Sequence, residues 1–180
     1  MALTATIYNV DVELADSDRN VYESLALRLA RHPSESDEYL VARLMAYLVE
    51  YAEGIEFSRG VSDPDVPAIV IRDLTGRIDT WIEVGTPDAE RLHRASKAAP
   101  RVVVYTHKDP GQFLKQLAGE RIHRAEELEL YALDRTFVGS LAARLERRLT
   151  LTVSIAGREI YVSLGAETLS APIVRLSREP

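Results

Sequence analysis

"PAIVIRDLTGRIDTWIEVGTPDAERLHRASKAAPRVVVYT", residues 67–106, decides how this chain folds. The runs "PAIVIRD" and "RIDTWIEV" are separated only by "LTG", short enough for a β-hairpin with Gly76 at a position of positive φ. Pro87 and Asp88 then open a helix over "PDAERLHRASKAAP", which Pro100 stops. The β-branched "RVVVYTH" that follows is the next buried strand. A strand, helix, strand crossover places its two strands side by side and parallel. The stretch therefore predicts one sheet holding both an antiparallel hairpin and a parallel crossover, an α/β (α+β) fold.

Working outward, "PSESDEYLVARLMAYLVEYAEG" predicts a helix. Ser34 and Asp37 have capping-box spacing, Val41, Leu44, Met45 and Leu48 form a buried stripe, and Gly54 suits the C-terminal cap. "IEFSRG" is a strand before the hairpin. Near the N-terminus, Val10, Val12 and Leu14 alternate with Asp11 and Glu13, a strand with one wet face. "SDRNVYESLALRLARHP" satisfies either a strand or a short helix. The last third predicts a helix around "DPGQFLKQLAGE", a strand "LELYAL", a helix "DRTFVGSLAARLERRL", a hairpin about Ala156 and Gly157, and a final strand "APIVRL". These late strands are expected to pair with the N-terminal strand, as additional N- and C-terminal antiparallel strands beside the core.

The chain has 180 residues and is 46% hydrophobic, enough for one core, and no repeat or linker divides it, so residues 1–180 are read as a single domain. No apolar run is long enough to span a membrane, and the N-terminus shows no leader pattern. With no cysteine there is no disulfide framework or thiolate site, and a reducing cytoplasm is the expected compartment. The formal charge of −6 argues against wholesale, non-specific nucleic-acid binding. A local basic patch beside an acidic site is compatible with it.

Strand alternation puts Asp79, Trp81 and Glu83 on one face. Asp79 and Glu83 are about 13 Å apart at the usual strand rise, too far to share one Mg²⁺, so Glu83 needs partners from elsewhere. A turn centred near Leu74 and Thr75 places position 66 opposite Glu83, with Asp65 the nearest acid. A third acid can come from the long helix through Glu38. Asp65 also suits a simple turn residue and Asp79 a solvated or arginine-paired one, whereas an acid between Trp, Ile and Val is unusual. Arg91, Arg94, Lys97 and Arg101 recur at helical spacing, suiting a solvated or a phosphate-binding face. The four histidines lack zinc spacing, and neither a Ser/His/Asp motif nor a Gly-rich phosphate loop is present.

"MALTATIY", "RHPSESDE" with Arg43 following, "FSRG", and above all "GRIDTWIEVGTPDAERLHRA" and "VVVY" resemble the YaeQ family of small bacterial proteins over most of the chain. The resemblance implies a restriction-endonuclease-like fold of the PD-(D/E)XK superfamily, whose core is a helix, three strands, a helix and a fourth strand, here over about residues 34–106. In that superfamily a second-strand acid after a proline and a third-strand acid bind Mg²⁺, a helix acid often helps, and a lysine two residues beyond the third-strand acid positions water. Glu83 matches the third-strand acid, Glu38 the helix acid and Pro67 the proline. Ala68 replaces the second-strand acid and Gly85 the lysine. The resemblance thus implies Mg²⁺-dependent phosphodiester hydrolysis of nucleic acid, with Glu83, Asp65 and Glu38 on the metal, Arg94 in place of the lysine, and Arg94 and Lys97 on phosphate. The alternative is a non-catalytic binding or regulatory module that keeps the nuclease fold and pairs Glu83 with an arginine such as Arg94.

Overall fold

The computed structural model describes residues 4–58 and 65–178. Met1–Leu3 of the first block, Arg59 and Gly60 of "FSRG", and Ser62–Pro64 of the loop before Asp65 lie outside them. In chain order the elements are β1 (Thr6–Asp16), β2 (Val21–Arg31), α1 (Asp37–Val49), β3 (Ile55–Phe57), β4 (Ile69–Arg72) and β5 (Ile78–Val84), then α2 (Ala89–Ala98), β6 (Arg101–Thr106), α3 (Pro110–Leu117), β7 (Glu129–Leu133), α4 (Arg135–Ala142), β8 (Arg148–Ala156), β9 (Glu159–Leu164) and β10 (Glu167–Leu176). The result is a mixed α+β fold. None of the described helices is long and apolar enough to cross a membrane.

The chain forms two compact units, one from the residues up to Val49 together with Leu133–Ile173, the other from Glu50–Ala132 and the tail after Ile173. In the first, the strand order is β2-β1-β8-β9-β10. The open question over residues 21–31 resolves as a strand: β2 pairs antiparallel with β1 along its whole length. Its leucines at every second position join the apolar face of β1, and that sheet burial outweighs helix propensity. Of the described late strands only β8 pairs with β1, and in parallel instead of antiparallel, while β9 pairs with β8, β10 with β9 and β7 with β6. Val10, Val12 and Leu14 share the buried face with Leu151, Val153 and Ile155. α1 packs on α4, and from Leu40 to Leu48 every residue of α1 is buried. It is thus enclosed all round, not only along the predicted stripe. It also stops at Val49, before Gly54, which instead lies against β4 with φ +88. A Cβ there would come 2.2 Å from the Arg72 carbonyl oxygen.

In the second unit the order is β7-β6-β5-β4-β3. β3, β4 and β5 form an antiparallel meander, β5 and β6 are parallel across α2, and β7 extends the parallel part. The hairpin turns at Asp73–Gly76 as the sequence predicts, with Gly76 at φ +85. Its register is later than expected: Ile69 faces Ile82, and a bulge follows between Ile71 and Arg72. Continued outward, that register sets Ala68, not Val66, opposite Glu83. Of the elements between residues 34 and 106, α1 belongs to the first unit and β3, β4, β5, α2 and β6 to the second. One face of the second sheet is sealed by α2 and α3, through Trp81, Leu92, Ala95, Val102, Val104, Phe113 and Leu130.

Candidate functional site

Trp81 and Glu83 point to the same side of β5, and because Trp81 belongs to the core under α2 and α3, so does the Glu83 carboxylate. Glu83 is 4% exposed. Its Oε1 accepts from the Trp81 indole Nε1 at 2.6 Å and from the Arg91 Nε at 2.8 Å. The Asp88 carboxylate caps α2 by accepting from the backbone N–H of Arg91, which fixes the first turn and delivers the Arg91 side chain to β5. A second guanidinium nitrogen donates to the Val66 carbonyl at 2.7 Å, so Arg91 ties the approach to β4 to the centre of the sheet. Burial pushes the Glu83 carboxyl above its ordinary pKa, against the opposing charge of Arg91 and the hydrogen bond from Trp81.

The other candidates are placed as follows. Asp65 is exposed, one residue before the carbonyl that Arg91 holds. Glu38 is an exposed residue in the first turn of α1, in the other unit. Arg94 and Lys97 are exposed on α2, with Arg94 3.6 Å from Glu90 one turn earlier. The arginine on Glu83 is thus Arg91, three residues before the Arg94 suggested from sequence. Arg101 is not part of the helix row at all, because α2 ends at Ala98 and Arg101 opens β6.

Gly85 has a physical reason of its own. It carries φ +96, and its N–H donates to the Tyr105 carbonyl, so it ends β5 in a left-handed conformation. A lysine there would be strained. Among the described residues, no three acids or histidines are grouped to hold a metal ion. The groups that reach Glu83 are an indole N–H and a guanidinium, hydrogen-bond donors that suit an anion and offer a cation no ligand. These residues do not fit Mg²⁺.

A second polar constellation, invisible as a motif, occupies the opposite face of β6. Arg101 donates to Glu50 at 2.7 and 3.2 Å and to Glu129 at 2.6 and 3.1 Å. Tyr105 donates its hydroxyl to Glu50 at 2.5 Å and stacks on Tyr131, over which the Arg175 guanidinium lies. Burial disfavours a charge on Arg101, but the hydrogen bonds and charges of Glu129 and Glu50 outweigh it and raise its pKa. Glu129 also resists burial and is lowered by Arg101. Burial, then the Glu50 charge, pushes Tyr105 far up.

The model of the YaeQ protein family matches residues 1–173. The chain belongs to the YaeQ family. The uncharacterised YaeQ protein of Escherichia coli K12 is 35% identical over 164 residues, 91% of each chain, and that of Salmonella typhi shows the same identity and coverage. The crystal structure of YaeQ from Pseudomonas syringae superposes with a TM-score of 0.87 at 30% identity, covering 97% of each chain. YaeQ from Xanthomonas axonopodis pv. citri gives 0.86 at 31%, covering 96% of this chain and 98% of that one.

Within this YaeQ-family chain, sequence reasoning found Glu83 and missed Arg101 with its two carboxylates. Glu50 and Arg101 are 51 positions apart and Glu129 a further 28, so no local spacing links them. Asp88 as N-cap marks Arg91 as a first-turn residue of α2, but which arginine of the helix reaches β5 is set by how the helix lies on the sheet.

Proposed function

We propose that this YaeQ-family chain is a non-catalytic binding or regulatory module built on a restriction-endonuclease-like scaffold of the PD-(D/E)XK type, in which Glu83 holds an arginine instead of a metal. The observation that carries this reading is the buried triad of Trp81, Glu83 and Arg91, with a donor-only environment at 2.6 and 2.8 Å from the same oxygen. The order helix, meander, helix and parallel strand supports the scaffold. Ala68 and Gly85, at the places of the superfamily's second acid and lysine, support loss of the chemistry, as a shared fold does not carry function with it. The exposed Arg94 and Lys97 are the residues we assign to the phosphates of a nucleic-acid partner. The rival reading is Mg²⁺-dependent phosphodiester hydrolysis, with Glu83, Asp65 and Glu38 as ligands. It draws on the Arg91 bond to Val66, which keeps the segment beside Asp65 at the Glu83 side of the sheet.

Thermal unfolding of wild type and Glu83→Ala in EDTA, Mg²⁺ and Mn²⁺ tests the two. A ion bound only by the folded state must raise its midpoint. The module reading expects wild-type midpoints that do not move with metal, and a lower midpoint for Glu83→Ala in all three. A metal-dependent rise confined to wild type would replace it with the hydrolase.

A further inference from the structure

β2 lies at the end of the first unit's sheet, no described strand pairs with its other side, and that side has a definite hydrogen-bonding pattern. On β1, Asn9 and Ser17 send their N–H groups to Arg147 and Ile155, on the β8 side, and the Ile7 carbonyl accepts from Arg147 there. Odd-numbered residues of β1 therefore point toward β8 and even-numbered ones toward β2. The register pairs Val10 with Leu27 and Val12 with Leu25, so odd-numbered residues of β2 bond to β1 and even-numbered ones turn outward. Ala30 confirms this independently, because its carbonyl accepts from Arg43 of α1 at 2.7 Å. Tyr22, Ser24, Ala26 and Arg28 then present their backbone groups away from the sheet. All four are exposed, Tyr22 at 61%.

Edge strands of soluble proteins are normally blunted by proline, a bulge, charged side chains, lysine above all, or a short length. β2 carries charge at Glu23, Arg28 and Arg31 but runs 11 residues in unbroken register without proline, bulge or lysine. Leu25 and Leu27 on its core-facing side are only partly covered.

We propose that β2 is a self-association edge, which takes the β2 strand of a second copy in antiparallel pairing about a two-fold axis at Leu25. The axis position follows from the backbone. The bond from Arg43 withdraws Ala30, and only an axis at Leu25 employs all four outward residues, matching Tyr22 with Arg28 of the second copy and Ser24 with its Ala26. Side chains agree with that register. Each Arg28 guanidinium meets a tyrosine face, a favourable cation–π pairing. Leu25 meets its own copy on the apolar side, Val21 meets Leu29, and no like charges are opposed.

Sedimentation equilibrium and a single-cysteine cross-link test this. Wild type is expected to show a concentration-dependent dimer. Leu25→Cys, in a chain with no other cysteine, is expected to form an intermolecular disulfide on mild oxidation, since a non-hydrogen-bonded antiparallel pair brings the Cα atoms to about 4.5 Å. Ala26→Pro deletes an outward N–H while sparing the ladder to β1 and is expected to weaken the dimer about tenfold or more. Should that variant misfold by circular dichroism, the exposed Arg28→Glu takes its place, with the same expected weakening. A wild type that stays monomeric up to about 1 mM, a dimer indifferent to the folded Ala26→Pro or to Arg28→Glu, or a dimer that Leu25→Cys does not cross-link, would each overturn the proposal.

Discussion

Glu83 with Arg91 and Glu50 with Arg101 and Glu129 use the same two side-chain types on opposite faces of one sheet, and Glu83 and Glu129 are shifted in opposite senses. On the helix-covered face one carboxylate, 4% exposed, meets one guanidinium, and burial wins: the carboxyl is held above its ordinary range. On the other face one guanidinium with a 37% exposed side chain is shared by two carboxylates. There the attraction wins, and Glu129 is held below its ordinary range. The difference teaches that an acid and an arginine at about the same distance are not one kind of interaction. Whether the pair stabilises the charged form depends on how much water each group gives up.

The largest effect expected is on the deeper pair. Arg91→Ala removes the guanidinium paired with Glu83 and the tie to the Val66 carbonyl. Stranding a buried charge costs about 3–5 kcal/mol, read by urea unfolding at neutral pH. The loss should shrink in acid, where the stranded carboxyl takes up a proton. A loss under about 1 kcal/mol, the level of a surface pair, would mean that burial keeps Glu83 protonated even at neutral pH, which would sharpen the contrast between the two faces.

Arg101→Ala comes next, at about 2 kcal/mol, because its partly exposed guanidinium is screened and water can replace it. It has a second signature. Glu129 is depressed in the fold, so its contribution is present above the unfolded carboxylate pKa of about 4.3 and is lost as the pH falls through the folded value. Removing Arg101 should therefore flatten the acid side of the stability profile. An acid limb unchanged from wild type would assign that limb to other carboxylates.

The two faces also explain what the sequence disclosed. The hairpin, the crossover helix and the parallel β5 and β6 rest on local signals: Gly76 in the turn, Asp88 at the cap, Pro100 at the stop, and β-branched Val102 to Val104. Glu83 was legible because an acid between Ile82 and Val84 breaks a local apolar pattern. Its exact partner was not, because the choice between Arg91 and Arg94 depends on how α2 is rotated over β5, a tertiary quantity. The hairpin register lies two residues from the expected one, and one of the two comes from the bulge beside Arg72, which nothing in "IRDLTGRI" marks. Arg101 with Glu50 and Glu129 stayed hidden because each of those residues, taken singly, suits a solvated surface. Strand β2 was ambiguous for the converse reason: it alternates like a strand and carries helix-forming Ala, Leu and Arg, and only its neighbour β1 settles the choice.

The smallest effect separates burial from attraction at Glu83 itself. Glu83→Gln keeps the shape and an acceptor oxygen for Trp81 and Arg91 while removing the charge. Because the folded pKa of Glu83 is raised, its favourable contribution is complete below about pH 4.3, the ordinary glutamate value, and is lost as the pH rises through the folded one. Wild type should thus lose ground relative to Glu83→Gln over that window and hold a constant difference above it, as read from thermal midpoints at a series of pH values. The opposite trend, wild type gaining on Glu83→Gln as the pH rises, would show that Arg91 and Trp81 outweigh desolvation. Glu83 would then be a stabilising anion of the same kind as Glu129, and the two faces of the sheet would obey one rule, with burial too weak to divide them.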